Sequence, residues 1–210
     1  MGHNKIMQPE INQPRVSDEH GQSGLKKAGI LNLVADDLPH DMSLGLRQNI
    51  IKHANEVYHM GTQNNSEYAT VLDSTTGELL DGNKTYHLIT NNSFGNVSIP
   101  DDVLSKRQKD EVIIIHNHTN GTLPSNDDVK LLTANLAVLS VLTVSGGRLL
   151  RLAKSPKLSY NIKGNNIDKD IELLVRTNFN IGHYLADGSV EDFEKSVKIF
   201  NGYGLLLERW

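Results

Sequence analysis

An α/β domain is predicted for this 210-residue chain on three observations. A β-branched apolar run, Glu111-Val112-Ile113-Ile114-Ile115, reads as a strand buried on both faces. Leu44, Leu46, Ile50, Ile51, Ala54 and Val57 recur at helical spacing. Val138 to Val144 and Arg148 to Ala153 read as two strands joined through Ser145-Gly146-Gly147, where glycine permits positive φ. A chain of this length can bury one sizeable core, so one main domain is expected.

In chain order, residues 1 to about 40 are rich in Asn, Gln, Gly and charge, with only Ile30-Leu31-Asn32-Leu33-Val34 packable, and are expected to form a flexible arm. The helix from Ser43 is expected to run about four turns and stop at Gly61. Its His53 and His59 read as exposed helix histidines. Glu67 to Asp73, Ser74 to Gly77 and Glu78 to Leu80 predict strand, tight turn, strand. Tyr86 to Thr90 and Asn96 to Ile99 are further candidate strands, and Pro100-Asp101-Asp102 opens a short helix toward Gln108. The Glu111 to Ile115 strand delivers His116 at its end. Ser125 to Ala137 is predicted helical, with Val129, Leu132 and Leu136 as its apolar stripe. After a polar break, Lys154 to Asn166, helices are expected near Ile167 to Thr177 and Val190 to Phe200, then a last strand within Tyr203 to Trp210.

Composition narrows the function classes. With 21 Lys and Arg against 25 Asp and Glu, a net charge of −4 leaves no global basic field, so nucleic acid is not an expected partner. The absence of cysteine removes disulfides, thiolate zinc clusters and a cysteine nucleophile, so any metal must be held by His and carboxylate. Met1 to His20 has no signal-peptide core, and the longest nearly apolar run, Leu136 to Val144, is too short to span a bilayer. A cytoplasmic protein without a membrane partner is expected.

The chemistry concentrates in His116-Asn117-His118 and, beyond a loop, Ser125-Asn126-Asp127-Asp128. In extended backbone, side chains two apart share a face, so His116 and His118 can present two imidazoles to one ion while Asn117 points away and is expected to hold the loop. A catalytic zinc site commonly has three protein ligands and an open position for water, and Asp128, one turn into the following helix, is the natural third. Ser125-x-x-Asp128 after Pro124 is equally a helix-capping arrangement.

An upstream Glu, His-x-His, a loop and Ser-x-x-Asp together resemble the metal motif of the JAMM/MPN+ (JAB) metallopeptidase family, with His116-Asn117-His118, Gly121 and Pro124-Ser125 most similar to its prokaryotic RadC-like branch. The resemblance covers about residues 45 to 155. It implies a deaminase-like α/β sandwich with a mixed central sheet flanked by helices, spanning 41–210 with a C-terminal helical extension over 156–210. It also implies a zinc hydrolase that cleaves peptide or isopeptide bonds in a peptide or protein substrate, such as a ubiquitin-like or isopeptide-linked chain. Carried over, zinc is held by His116, His118 and Asp128, Glu67 is the general base, and Ser125 hydrogen-bonds the oxyanion. Glu56, Glu78 and Glu111 compete with Glu67 by residue type alone. The loop from His118 to Ser125 holds six residues where the family pattern usually has seven, and Thr119 stands where proline is common. The shortening leaves Asp127 as an alternative to Asp128, because adjacent helical positions diverge by about 100°. The alternative function is a non-catalytic JAB/RadC-like module that binds a partner or DNA in repair or a mobile element.

Overall fold

Central strands buried on both faces organise everything else in the computed structural model, which describes residues 30–80, 86–87, 99–119, 123–155 and 190–210. Strands β1 (Tyr68–Asp73), β2 (Tyr86–His87), β3 (Val112–His118), β4 (Val138–Ser145), β5 (Arg148–Lys154) and β6 (Leu205–Arg209) form one sheet in the order β2-β1-β3-β4-β5-β6. β3 and β4 pair in parallel and every other pairing is antiparallel, so the sheet is mixed. A parallel pair needs a crossover. Helix α3 (Asn126–Ala134) supplies it, joining α1 (Leu44–Asn64), the four-residue α2 (Asp101–Leu104) and α4 (Val190–Gly202).

All seven residues of β3 are buried, which is why its apolar run shows no alternation in sequence. Val112 and Ile114 face Val129 and Leu132 of α3 and Phe200 of α4, whereas Ile113 and Ile115 face Leu46, Ile50, Ala54 and Val57 of α1. Each such side chain contributes roughly 1.5–3 kcal/mol by leaving water. Helices thus cover both faces of a mixed α/β sheet, and the turn between β4 and β5 uses Gly146 (φ 56) and Gly147 (φ 77) as expected.

Several boundaries differ from expectation. α1 runs past Gly61 to Asn64 and closes on Asn65, left-handed at φ 48, whose N–H donates to the Gly61 carbonyl. Asparagine tolerates that conformation, so glycine is not needed to stop the helix. α3 ends at Ala134 and leaves Leu136 73% exposed, outside any apolar stripe. The reason is competition for backbone: the Leu136 and Ala137 carbonyls already accept from Asp110 and Val112, and the Asn135 side chain folds back onto the Leu131 carbonyl. The arm of the predicted hairpin after Gly77 (φ 73) is reduced to one bridge, Leu72 to Leu79. Ile99 is buried and α2 stops short of Gln108, while 88–90 and 96–98 of the two candidate strands and the helix expected near Ile167 to Thr177 lie outside the described residues.

The segment expected to be a flexible arm is anchored at Leu31 and Leu38, while Ile30 and Val34 stay exposed and 1–29 lie outside the described residues. Leu31 and Leu38 are buried against α1, the Leu31 N–H donates to Asn55 Oδ1 at 2.7 Å, and Arg47 Nη1 donates to the Ala35 carbonyl at 2.8 Å. At the other end of the chain, the helix expected over Val190 to Phe200 is α4 and the expected last strand is β6, which joins the sheet beside β5 with Leu205 and Leu207 in the core, while 156–189 lie outside the described residues. His53, read as exposed, is buried with its Nδ1 2.7 Å from Glu56 Oε2, whereas His59 is exposed as expected.

Candidate metal centre

β3 carries both histidines inside the strand, not beyond it. His116 and His118 share the parity of Val112 and Ile114, so they point to the α3 side, and their Nε2 atoms approach to 3.0 Å. Both side chains are buried. Two bare imidazole lone pairs at that distance repel, so one shared centre, a proton or a metal ion, has to lie between them.

Asp128 reaches the same point from the first turn of α3. Its Oδ1 lies 3.2 Å from His116 Nε2 and its Oδ2 lies 3.4 Å from His118 Nε2. The helix start fixes this placement through a capping box: Ser125 N–H and Oγ–H donate to Asp128 Oδ2 at 2.6 and 2.8 Å, and the Asp128 N–H returns to Ser125 Oγ at 3.3 Å. Burial pushes the Asp128 carboxyl up, but the charges and hydrogen bonds of His116 and His118 outweigh it and hold it well below the usual carboxylate range. Asp127 turns outward, with its carboxylate 3.9 Å from Lys130 Nζ. The six-residue loop therefore leaves Asp128, and not its neighbour, facing the histidines.

Glu67 immediately precedes β1. The antiparallel register pairs Ala69 with His116, and continuing it by two residues sets Glu67 opposite His118 on the same face. The half-buried carboxyl of Glu67 is raised by burial, against the pull of the His118 and His116 imidazoles and with a further push from Asp128. Its competitors stand elsewhere: Glu56 on His53, Glu78 exposed at the turn, and Glu111 accepting from the Gln108 N–H at the opposite end of β3.

His116, His118 and Asp128 form a buried group able to hold a metal ion, the one set of three or more such ligands among the described residues. Zinc–nitrogen bonds of about 2.0–2.1 Å place two ligand atoms about 2.9–3.4 Å apart for angles between about 90° and 109°. The 3.0 Å between the two imidazole nitrogens and the 3.2 Å from His116 Nε2 to Asp128 Oδ1 fall in that range, and two nitrogens with one carboxylate form a donor set that zinc accepts along with other divalent metals. Asp128 Oδ2 is already satisfied by Ser125, so Oδ1 is the oxygen free to coordinate.

Two further residues shape the site. Thr143 on β4 is fully buried, with Oγ1 3.4 Å from His116 Nε2, and its hydroxyl between Leu142 and Val144 was the available signal. Asn117 holds the entry to β1, with its Oδ1 accepting from the Tyr68 N–H at 2.8 Å. No family model, curated protein or solved structure matches this chain. Among the described residues no helix is long and apolar enough to cross a membrane.

Proposed function

We propose that the chain is a zinc-dependent hydrolase of peptide or isopeptide bonds, JAMM-like in its site and built on a deaminase-like α/β sandwich. The observation that carries this reading is one buried point shared by His116, His118 and Asp128, with the Glu67 carboxyl on the same sheet face. Bound there, zinc supplies Lewis acidity toward a carbonyl oxygen and toward water.

The remaining roles fall to the chain. Glu67 accepts a proton at its carboxylate as water oxygen adds to the carbonyl carbon, and returns that proton to the amine nitrogen as the carbon–nitrogen bond breaks. In the metal-free chain burial raises the pKa of its carboxyl, against the pull of His118 and His116. Ser125 orients Asp128; to donate to a developing oxyanion its hydroxyl must first turn away from Oδ2, which the Ser125 N–H continues to hold.

Metal analysis of the purified chain, followed by cleavage of a peptide library and of an isopeptide-linked ubiquitin-like chain with and without chelator, tests the proposal. One zinc per chain, and cleavage lost on chelation and restored by zinc, are expected. A chain that takes up no metal at neutral pH, or cleaves regardless of chelator, refutes it.

A further inference from the structure

Asn117 sits between the two histidines in sequence and on the opposite face of β3 in space. Its side chain is buried and points toward α1, at Gly61. There Oδ1 accepts from the Tyr68 N–H at 2.8 Å and Nδ2 donates to the Ser66 carbonyl at 3.1 Å. Those two groups belong to the residues on either side of Glu67. The amide of Asn117 therefore takes the place of a strand backbone just before β1 begins, and holds Glu67 from both sides. Gly61 makes this possible, because a Cβ there would lie 2.5 Å from Asn117 Cγ and 2.8 Å from Oδ1. Gly61 also accepts the Ser66 N–H on its carbonyl at 3.3 Å, so the helix end and the approach to β1 close on the same residue.

We propose that Asn117 is a positioning residue. Its carboxamide, seated over Gly61, clips the Ser66 and Tyr68 peptide groups and so sets the Glu67 carboxylate against the His116, His118 and Asp128 centre. This rests on the reading of Glu67 as the base beside a metal, but the clip itself is a property of the chain. It explains why a polar residue occupies a fully buried strand, and why α1 carries a glycine inside its last turn and not at its end.

The test combines two measurements on the full chain. In the metal-free protein, nuclear magnetic resonance should show slow exchange for the Tyr68 amide and for the Asn117 side-chain amide, and Overhauser contacts between Glu67 side-chain protons and the His118 ring. Asn117→Ala, and Gly61→Ala, which displaces the amide, should each speed Tyr68 exchange by about tenfold or more, as loss of a buried hydrogen bond implies, while sparing Val71 and Leu72. Both should also abolish the Glu67 to His118 contact. Solvent-rate exchange of the Asn117 side chain in the wild-type protein, which needs no variant, overturns the proposal. So does a Glu67 to His118 contact that survives both substitutions.

In Co2+-loaded protein, Asn117→Ala and Gly61→Ala should keep one ion per chain and shift the visible spectrum in the direction that Glu67→Gln shifts it. A wild-type spectrum in both, beside a shifted Glu67→Gln, overturns positioning. A wild-type chain that binds no Co2+, or a Glu67→Gln spectrum that matches wild type, refutes the hydrolase reading instead, and the exchange and Overhauser data then decide the clip alone.

Discussion

Asp128→Asn exchanges one oxygen for an NH2 group at the point where helix and candidate ligand meet. In the native arrangement Oδ2 accepts two hydrogens from Ser125, at 2.6 and 2.8 Å. An asparagine that keeps its oxygen there turns NH2 toward His116, and one that keeps its oxygen toward His116 sets NH2 against two Ser125 donors. Either orientation loses the negative charge, and one of them also forfeits the capping box, worth about 0.5–2 kcal/mol. Zinc affinity should fall by more than about 100-fold, since even residues that only support a ligand cost about 10- to 100-fold when removed. Asp127→Asn is the matched control: its carboxylate is half exposed and pairs with Lys130 at 3.9 Å, so stability should change by less than about 0.5 kcal/mol and zinc binding not at all. Competition titration against a chromophoric zinc chelator, with thermal melts of the metal-free proteins, reads both effects. If Asp127→Asn weakened zinc as much as Asp128→Asn, the assignment of α3's inward face would be wrong.

Glu67→Gln should retain zinc and lower turnover by about 10²- to 10⁴-fold on whichever amide substrate is found. Because burial raises the Glu67 pKa, its ionised form opposes folding at neutral pH and the protonated form does not. The same variant should therefore melt higher than wild type at pH 7 when metal-free, with the gain shrinking as acid protonates Glu67. Asp128 has the opposite sign. Its depressed folded pKa supports the metal-free fold above the unfolded value of 3.8, and acid titration through and below that value should remove the contribution in wild type but not in Asp128→Asn. Leu38→Ala should destabilise the protein by about 2–5 kcal/mol in urea unfolding, because Leu38 is 1% exposed in the core on α1; a change under about 0.5 kcal/mol would mean that the segment is loosely held.

The features legible in the sequence are those decided within a few residues. Val112 to Ile115 announces a doubly covered strand, Gly146-Gly147 announces the tight turn, and Ser125-x-x-Asp128 announces a helix start regardless of any ion. The pairing of His116 with His118 follows from strand period alone. Choosing Asp128 over Asp127 does not, because one residue more or less in the loop before α3 rotates the helix by about 100°. Packing of Leu31 and Leu38 was illegible because their partners, Asn55, Arg47 and the α1 stripe, lie further along the chain, and the intervening composition is polar. The last strand was legible within Tyr203 to Trp210, but its place beside β5 was not, as that register brings Glu208 to Arg151 across 57 residues of sequence. Gly61 misled in a different way: a glycine near a helix end suggests a stop, whereas this one leaves room for an amide from the neighbouring strand.

The capping box at α3 ties the scaffold to local backbone chemistry before any ion arrives. Ser125 and Asp128 satisfy one another, and the two imidazoles lie against the same carboxylate, so the candidate ligands are already gathered in the metal-free chain. Such a protein can be emptied and refilled without unfolding, unlike small domains whose shape is created by their metal. It also has latitude over evolutionary time: Glu67 belongs to neither hydrophobic core, so a descendant that lost Glu67 alone should keep its sheet and helices. If the chain hydrolyses amides as proposed, hydrolysis could disappear from such a lineage while recognition of the former substrate persisted, and a catalyst would have become a receptor with one substitution.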